Sequence, residues 1–272
     1  MTGELFIVGT PIGNLKDVTY RALFTLRQVD YIASEDTRHT RILLEAHGIS
    51  KPLISYYREK ERESSARIIE ILKSGYSVAL VTDAGMPCVS DPGAILVSEC
   101  RNEGIRIESV PGPSAVITAL SVSGIRSTGF VFLGFLPDKA GERSKVIERI
   151  PTYELPVVIY VAPHDIMEIL RLLRSNPRIG RITVAKELTK LHETVIVIED
   201  DIPDFDTRGE FVVISEPKPG ANDDSAEAYS ALEKLLTEGV KPSVAAKEIA
   251  AHYSVPKNAL YRHAMNFEPP KK

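Results

Sequence analysis

Acidic side chains follow two apolar runs of the chain, in places where they could do chemistry. Glu35 and Asp36 come directly after one run, and Asp83 and Asp91 follow another. A carboxylate can accept a proton from a reacting group, or can bind a ligand that carries hydrogen-bond donors or positive charge. Neither G-x-G-x-x-G nor G-x-x-x-x-G-K-S/T occurs, and cations are few in these segments. A site for a nucleotide phosphate is therefore poorly supported.

Glycine, proline and small polar residues accompany these acids in the segments that follow five apolar runs: residues 9–14, 34–40, 55–58, 82–93 and 111–115. Glycine lets the backbone turn sharply and approach a ligand closely, and proline lowers the entropy that a loop loses on binding. Turn chemistry alone explains any one of these segments. Three of them are longer and richer than a minimal turn, which favours a binding site.

The elements that must position these segments alternate in the first half of the chain. We expect strands at residues 5–8, 31–33, 53–54, 78–81 and 105–110, and helices at residues 18–29, 40–47, 61–73, 94–103 and 114–122. Near-continuous apolar strands separated by helices predict a mostly parallel sheet that is covered on both faces. The carboxyl ends of such strands meet at one edge, where open α/β sheets bind ligands.

The second half predicts a mixed sheet, because some of its strands are too close together for helices between them. We expect strands at 130–133, 157–161, 182–185, 195–198 and 211–214, and helices at 142–150 and 165–173. The fold class is thus α/β, with two α/β domains at residues 1–124 and 125–217. A linker by composition, residues 216–224, precedes a small helical unit at residues 225–268.

The helical unit predicts three helices, at residues 226–236, 243–253 and 257–265, and the last two are typical of a helix-turn-helix. From Ser225 onward, seven Lys or Arg stand against five Glu. This unit is therefore mildly basic on a protein whose net charge is −4. Its apolar pattern is explained equally by a packed helical hairpin and by a surface that contacts nucleic acid.

Composition limits the remaining possibilities. The chain has 272 residues and two cysteines, Cys88 and Cys100, without CxxC spacing or a Cys/His cluster, so we expect no metal site. It has no run of 18 apolar residues and no basic leader, which indicates a cytoplasmic protein. Because the net charge is negative, any nucleic-acid partner must meet a local basic surface.

Six motifs carry a family resemblance: LFIVGTPIGNL, ASEDTRHT, VTDAGMPCVSDPG, VPGPSA, GFLP and KELTKLHETV. Over residues 5–215 the chain resembles the tetrapyrrole methylase superfamily. Within it, the motifs are most similar to the small-subunit ribosomal RNA ribose 2′-O-methyltransferases, which modify a cytidine in the decoding centre. The resemblance implies S-adenosylmethionine folded in the cleft between two α/β domains, a homodimer, and 16S ribosomal RNA or the small ribosomal subunit as partner.

The resemblance also implies functional residues by position. The expected cofactor contacts are Pro11, Gly85, Met86, Val89, Ser114 and Ala115, with the stretches around Tyr160 and Leu188 closing over the cofactor from the second domain. The Ser114 hydroxyl either caps a helix or touches the ligand.

Methyl transfer to a ribose hydroxyl benefits from a nearby base, for which Glu35 and Asp36 are the candidates. For Asp36 we favour a helix N-cap as the main role, whereas Glu35 at a strand end should face the cleft. The expected RNA contacts are Arg38, Arg41, Lys139, Arg143 and Lys145, the last three in a basic segment just after GFLP.

One segment departs from the family pattern. Relatives usually read Tyr-Glu-Ser-Pro-His-Arg where this chain has Tyr160-Val161-Ala162-Pro163-His164-Asp165. Two other functions stay open at this point. One is a tetrapyrrole C-methyltransferase, against which the TPIGNL loop and the basic tail argue. The other is a non-catalytic RNA-binding or ribosome-assembly factor that kept the fold.

Overall fold

The computed structural model describes residues 2–218, 223–253 and 255–267. Its strands are β1 (Glu4–Val8), β2 (Tyr31–Ser34), β3 (Leu53–Ser55), β4 (Val78–Val81), β5 (Arg106–Val110), β6 (Val131–Phe135), β7 (Val157–Val161), β8 (Ile179–Lys186), β9 (Thr194–Ile198) and β10 (Phe211–Pro217). Its α-helices are α1 (Tyr20–Gln28), α2 (Thr37–Ala46), α3 (Glu61–Lys73), α4 (Ala94–Asn102), α5 (Ala115–Ser123), α6 (Ala140–Arg149), α7 (Ile166–Ser175), α8 (Asp223–Thr237), α9 (Pro242–His252) and α10 (Lys257–Asn266).

The first sheet contains β1 to β5 in the order β3-β2-β4-β1-β5, and every neighbouring pair is parallel. Helices cover both of its faces. Leu26 of α1 and Leu44 of α2 belong to one buried cluster, whereas Ile68 of α3 and Leu96 of α4 belong to another. Burial on both sides explains why the central strand β4 (Val78–Val81) is apolar without alternation.

The connection after β1 leads to β2 on one side of the sheet, and the connection after β4 leads to β5 on the other side. The loops after β1 and β4 therefore diverge at the centre of the sheet. Such a reversal of strand order opens a crevice at the carboxyl edge. Two hydrogen bonds tie these loops together: Thr10 N–H donates to the Gly85 carbonyl (2.9 Å), and Gly85 N–H donates to the Thr10 carbonyl (3.2 Å).

The second sheet has the order β6-β7-β10-β8-β9, in which β6 and β7 are parallel and the other pairs are antiparallel. One face packs against α6 and α7 through residues such as Ile147 and Leu170. The other face carries Val158, Ala185 and Ile214, which pack with residues of α5. Helix α5 therefore links the first sheet to the second.

The predicted fold class is confirmed: a parallel sheet, a mixed sheet and C-terminal helices are all present. Helix α2 begins three residues before the predicted start, because the Asp36 carboxylate accepts a hydrogen bond from Arg38 N–H (2.8 Å) and caps the helix there. Strand β8 begins earlier than predicted, at Ile179, since Gly180 and Arg181 interrupt the apolar run on which the prediction rested.

Helices α8, α9 and α10 share a small buried core that includes Leu232, Ile249 and Leu260. The predicted linker falls partly on residues 219–222, which lie outside the described residues, as do Ser254, between the last two predicted helices, and the final residues 268–272. The predicted division into domains at residues 124 and 217 stays a prediction.

Candidate functional site

A cavity of about 580 Å³ opens between the carboxyl edge of the first sheet and the second sheet. The first sheet contributes the loops that follow β1, β2, β4 and β5, and the second contributes the ends of β6 and β7, the segment after β8 and the start of β10. Its volume lies within the range of pockets that enclose a small organic ligand, about 300–1,000 Å³.

Glycine permits the loops to meet at the base of this cavity. A Cβ on Gly9 would lie 2.6 Å from the Gly112 Cα and 2.7 Å from the Met86 sulfur, so only glycine allows these three segments to approach so closely. Gly85 has φ +84°, a conformation that L side chains rarely adopt, while it exchanges its backbone hydrogen bonds with Thr10. Close backbone packing thus makes the cavity floor rigid.

Carboxylates dominate the polar lining. Glu35, Asp83, Asp91 and Glu210 all line the cavity, whereas none of the described lining residues is Lys, Arg or His. Glu210 pairs with Lys190 Nζ at 3.0 Å, whereas the other three form no ion pair with any residue that the structure describes. The exposed Arg58 stands nearby and donates to the Ser90 carbonyl (2.9 Å). The cavity is therefore apolar for the most part, with three acidic groups on one wall.

Glu35 ends its strand with its side chain half-buried in this wall. Burial raises the pKa of the Glu35 carboxyl above its ordinary value, the neighbouring Asp83 raises it further, and a hydrogen bond from the Thr82 hydroxyl (3.2 Å) acts in the opposite direction. A raised pKa makes a carboxylate a better proton acceptor.

Asp91 lies in the loop after β4 and is perturbed more strongly. Burial, followed by repulsion from Glu35 and Asp83, raises its pKa to about 6. Like charges at close range disfavour one another's ionised form, so a cation placed among them would relieve the repulsion. Among the parts of the chain that the structure describes, no group of three Asp, Glu, His or Cys is arranged to hold a metal ion.

Aromatic rings from the second sheet form part of the opposite lining. The Tyr160 ring lies 4.9 Å from Phe132 and 5.4 Å from Phe135, between ring centroids. Burial raises the pKa of the Tyr160 hydroxyl, and Asp91 adds to the increase.

The structure brings most of the predicted cofactor contacts to the cavity: Gly85, Met86, Val89, Ser114, Ala115, Tyr160 and Leu188 all line it. Pro11 is buried beside the cavity and the next residue, Ile12, lines it instead. Ser114 accepts a hydrogen bond from Ile117 N–H (3.5 Å) as the cap of α5 and also faces the cavity, so both of its expected roles agree with the geometry.

The two predicted catalytic acids lie in different environments. Glu35 lines the cavity, whereas Asp36 does not: its carboxylate caps α2 and pairs with the Arg38 guanidinium at 2.9 Å. The Asp36 pKa falls to about 2 because Arg38 hydrogen-bonds its carboxylate. A carboxylate held in this way is a weak base, so the structure favours the capping role for Asp36.

The predicted RNA-binding cations differ in their exposure to solvent. Arg38, Arg41, Lys139 and Lys145 are exposed. The prediction for Arg143 is corrected, because its side chain is only 6% exposed and its guanidinium binds Asp165 and Glu168, each at 3.1 Å. It also donates to the carbonyls of Pro137 (3.1 Å) and Asp138 (3.2 Å). Arg143 therefore holds local structure and is not available to a phosphate.

Sequence reasoning missed the lining residues Ile12, Phe135 and Glu210 to Val212. The last three lie at the amino end of β10, which runs antiparallel to β7 and pairs Phe211 with Val161. The site residues predicted from the sequence follow strands, whereas these three lie at the start of one. Only knowledge of the strand pairing identifies an amino end as part of the same edge.

Comparison with known proteins defines the class first. The family model described as Tetrapyrrole (Corrin/Porphyrin) Methylases matches residues 4–201, so the chain is a methyltransferase of that class. A second model, described as RsmI C-terminal HTH domain, matches residues 222–267.

Relatives then narrow the assignment. Ribosomal RNA small subunit methyltransferase I of Haemophilus influenzae is 42% identical over 97% of this chain and 97% of that protein. The protein of the same name from Xylella fastidiosa is 43% identical over 95% of this chain and 98% of its own length. The chain belongs to the family of ribosomal RNA small subunit methyltransferase I proteins.

Solved structures support the fold. Uroporphyrin-III C-methyl transferase from Thermus thermophilus, complexed with S-adenyl homocysteine, aligns with a TM-score of 0.54 at 17% identity, over 78% of this chain and 97% of that one. Diphthine synthase aligns with a TM-score of 0.59 at 17% identity, over 79% and 90% of the two chains. Because these neighbours have different substrates in their names, their likeness shows the fold and not the substrate.

Proposed function

We propose that this S-adenosylmethionine-dependent methyltransferase acts on the ribose 2′-hydroxyl of a cytidine in the decoding centre of 16S ribosomal RNA. The observation that supports this most strongly is the similarity to proteins named ribosomal RNA small subunit methyltransferase I, which extends over nearly the whole chain.

The lining residues fit the cofactor on chemical grounds. The apolar lining suits an adenine ring, and the carboxylates Glu35, Asp83 and Asp91 suit a ligand that carries a sulfonium and an ammonium group. No phosphate needs to be neutralised, which agrees with a described lining free of Lys, Arg and His. We infer that Gly85, Met86, Val89, Ser114, Ala115, Tyr160 and Leu188 contact the cofactor, with Ile12 in the place expected for Pro11.

When bound, S-adenosylmethionine supplies an electrophilic methyl group. The contribution of the chain is to position the ribose hydroxyl and to accept its proton. Glu35 is the residue we infer for this task, because its carboxylate lines the cavity and its pKa is raised. Thr82 orients the Glu35 carboxylate through their hydrogen bond at 3.2 Å.

Four exposed cations are proposed to contact RNA phosphates: Arg38, Arg41, Lys139 and Lys145. Arg38 and Lys139 now pair with Asp36 and Glu142, at 2.9 and 3.2 Å, and exposed pairs of this kind exchange readily for a phosphate. Within the described residues, no helix is long and apolar enough to cross a membrane. We further propose a homodimer that works in the cytoplasm.

The test is transfer of labelled methyl groups to three substrates: small ribosomal subunits, free 16S ribosomal RNA and a tetrapyrrole precursor. We expect label on a cytidine ribose in one of the RNA substrates and none on the tetrapyrrole. Label on the tetrapyrrole would support the C-methyltransferase instead. Binding of S-adenosylmethionine without transfer to any substrate would contradict the proposed substrate, and absence of binding in calorimetry would favour a non-catalytic factor.

A further inference from the structure

The loop that carries Asp91 meets the end of β6 directly. A Cβ on Gly134 would lie 2.8 Å from the Ser90 hydroxyl oxygen, so the backbone of β6 passes against the residue that precedes Asp91. Phe135 follows Gly134 and lies 5.4 Å from the Tyr160 ring. The fold thus gathers one carboxylate and two aromatic rings at one end of the cavity, and all three line it.

This combination is suited to a positive charge without hydrogen-bond donors. The faces of aromatic rings attract cations, and a nearby carboxylate adds direct Coulomb attraction. The sulfonium of S-adenosylmethionine is such a charge. S-adenosylhomocysteine, the product left after methyl transfer, has a neutral thioether at the same position.

We propose that Asp91, together with the rings of Tyr160 and Phe135, holds the sulfonium and makes the cavity select the charged methyl donor over its neutral product. This inference rests on the proposed use of S-adenosylmethionine by this cavity. Asp91 is the acid concerned because the loop that carries it packs against the end of β6, next to Phe135 and the Tyr160 ring.

The carboxylates around Asp91 strengthen the preference for the charged ligand. Glu35 and Asp83 repel the charge on Asp91, and the sulfonium relieves this repulsion while the thioether leaves it in place. The exposed Arg58 partly offsets this repulsion, but its guanidinium already donates a hydrogen bond to the Ser90 carbonyl. In the complex with the neutral product, the charge on Asp91 is therefore not balanced by the ligand, and this favours release of the product.

The experiment is calorimetric titration of the full-length protein with S-adenosylmethionine, S-adenosylhomocysteine and sinefungin, an analogue with an amine in place of the methyl sulfonium. At about pH 8 the Asp91 carboxyl is ionised, since this pH is well above its pKa. We expect the wild type to bind the two cationic ligands more tightly than the thioether. In Asp91→Asn, that preference should fall by about tenfold, mainly through weaker binding of the cations.

Two variants complete the design. Asp91→Glu keeps the charge and should keep the preference. Asp36→Asn removes a carboxylate that lies outside the cavity lining and already has Arg38 as its partner, so it should also leave the preference unchanged. Tighter binding of the thioether than of the methyl donor by the wild type would overturn the inference even if no variant folded. A folded Asp91→Asn with the wild-type preference would overturn it as well.

The result is separable from the proposed substrate. Loss of the preference in Asp91→Asn, with no methyl transfer to ribosomal RNA by the wild type, would leave the inference standing and the proposed substrate wrong. Methyl transfer to ribosomal RNA by the wild type, together with an unchanged preference in Asp91→Asn, would support the proposed substrate and overturn the inference. Absence of any binding by S-adenosylmethionine would overturn both.

Discussion

Glu35 obtains its properties from residues of a neighbouring strand. Thr82 and Asp83 follow β4, which pairs with β2, and together they act on the Glu35 carboxyl from the adjacent loop. The sequence places Glu35 at a strand end but does not identify which acid will stand beside it. That depends on β2 pairing with β4 rather than with β1, its predecessor in the chain.

Glu35→Gln should lower the rate of methyl transfer to ribosomal RNA by about 100-fold or more, because an amide does not accept the proton of the hydroxyl. Binding of S-adenosylmethionine should be retained, since Gln has nearly the same shape. Single-turnover rates and calorimetry measure the two effects. Asp36→Asn is the matched control: Asn caps a helix about as well as Asp, so its rate should stay near that of the wild type. Equal rates for the two variants would remove Glu35 from the mechanism.

Asp91→Asn should make the cofactor-free protein more stable near neutral pH and above. The Asp91 pKa is about 6 in the folded protein against an ordinary value of 3.8, so the folded state holds more protons between these values. Stability therefore falls as the pH rises through this window, and the loss is complete above about pH 6. Asn at position 91 does not ionise, so the variant does not lose stability in this way. Thermal unfolding of both proteins near pH 5 and pH 8 tests this, and a variant that melts below the wild type at the higher pH would contradict it.

At the scale of elements, Arg143 joins two helices and a loop. It lies on α6, binds Asp165 and Glu168 at the start of α7, and donates to two carbonyls of the segment after β6. Both segments border the cavity, through Phe135 on one side and residues 161–163 on the other. In this chain, the departure from the family pattern at Asp165 thus forms an ion pair with the buried Arg143.

Arg143→Met should lower the free energy of unfolding by about 1–3 kcal/mol, because it leaves the partly buried Asp165 carboxylate without its guanidinium partner. Lys145→Met, on the exposed side of the same helix, should change it by less than about 0.5 kcal/mol. Urea unfolding measures both values. If Arg143→Met proved as stable as Lys145→Met but bound ribosomal RNA more weakly, the structural role assigned to Arg143 would be wrong and an RNA contact would be restored.

Local periodicity predicted the elements of this chain better than it predicted their contacts. Strands such as β4 and helices such as α3 follow from apolar spacing within a few residues, and their predicted bounds agree with the structure. The burial of Arg143 does not follow from spacing, since its partner Asp165 is 22 residues away. The same holds for β10: its amino end reaches the cavity only because it runs antiparallel to β7.

At the scale of the whole molecule, the cavity requires both sheets. Its carboxylates Glu35, Asp83 and Asp91 come from the first sheet, and its aromatic rings come from the second. Helix α5 packs Val116 and Ala119 against the second sheet and so connects the two walls. Helices α8 to α10 have a separate core, and no described residue of theirs lines the cavity.

A truncated protein that ends at Lys218 should therefore bind S-adenosylmethionine with the affinity of the full chain. Its rate of methyl transfer to ribosomal RNA should fall if the basic C-terminal helices contact the RNA, and gel-shift titration at several salt concentrations would show a smaller salt dependence. Loss of cofactor binding in a folded truncated protein would contradict the independence of the C-terminal unit. An unchanged RNA affinity would show that these helices serve another purpose.

The absence of Lys, Arg and His among the described lining residues affects which other metabolites can compete for the cavity. Adenine is shared by S-adenosylmethionine and by the far more abundant adenine nucleotides and dinucleotides. Recognition of the base alone would let those molecules block the enzyme. A wall with three carboxylates, and with no Lys, Arg or His among its described lining residues, repels a phosphate chain that approaches it. The same wall that draws in the methyl donor thus acts as a filter against the commonest competitors for its adenine site.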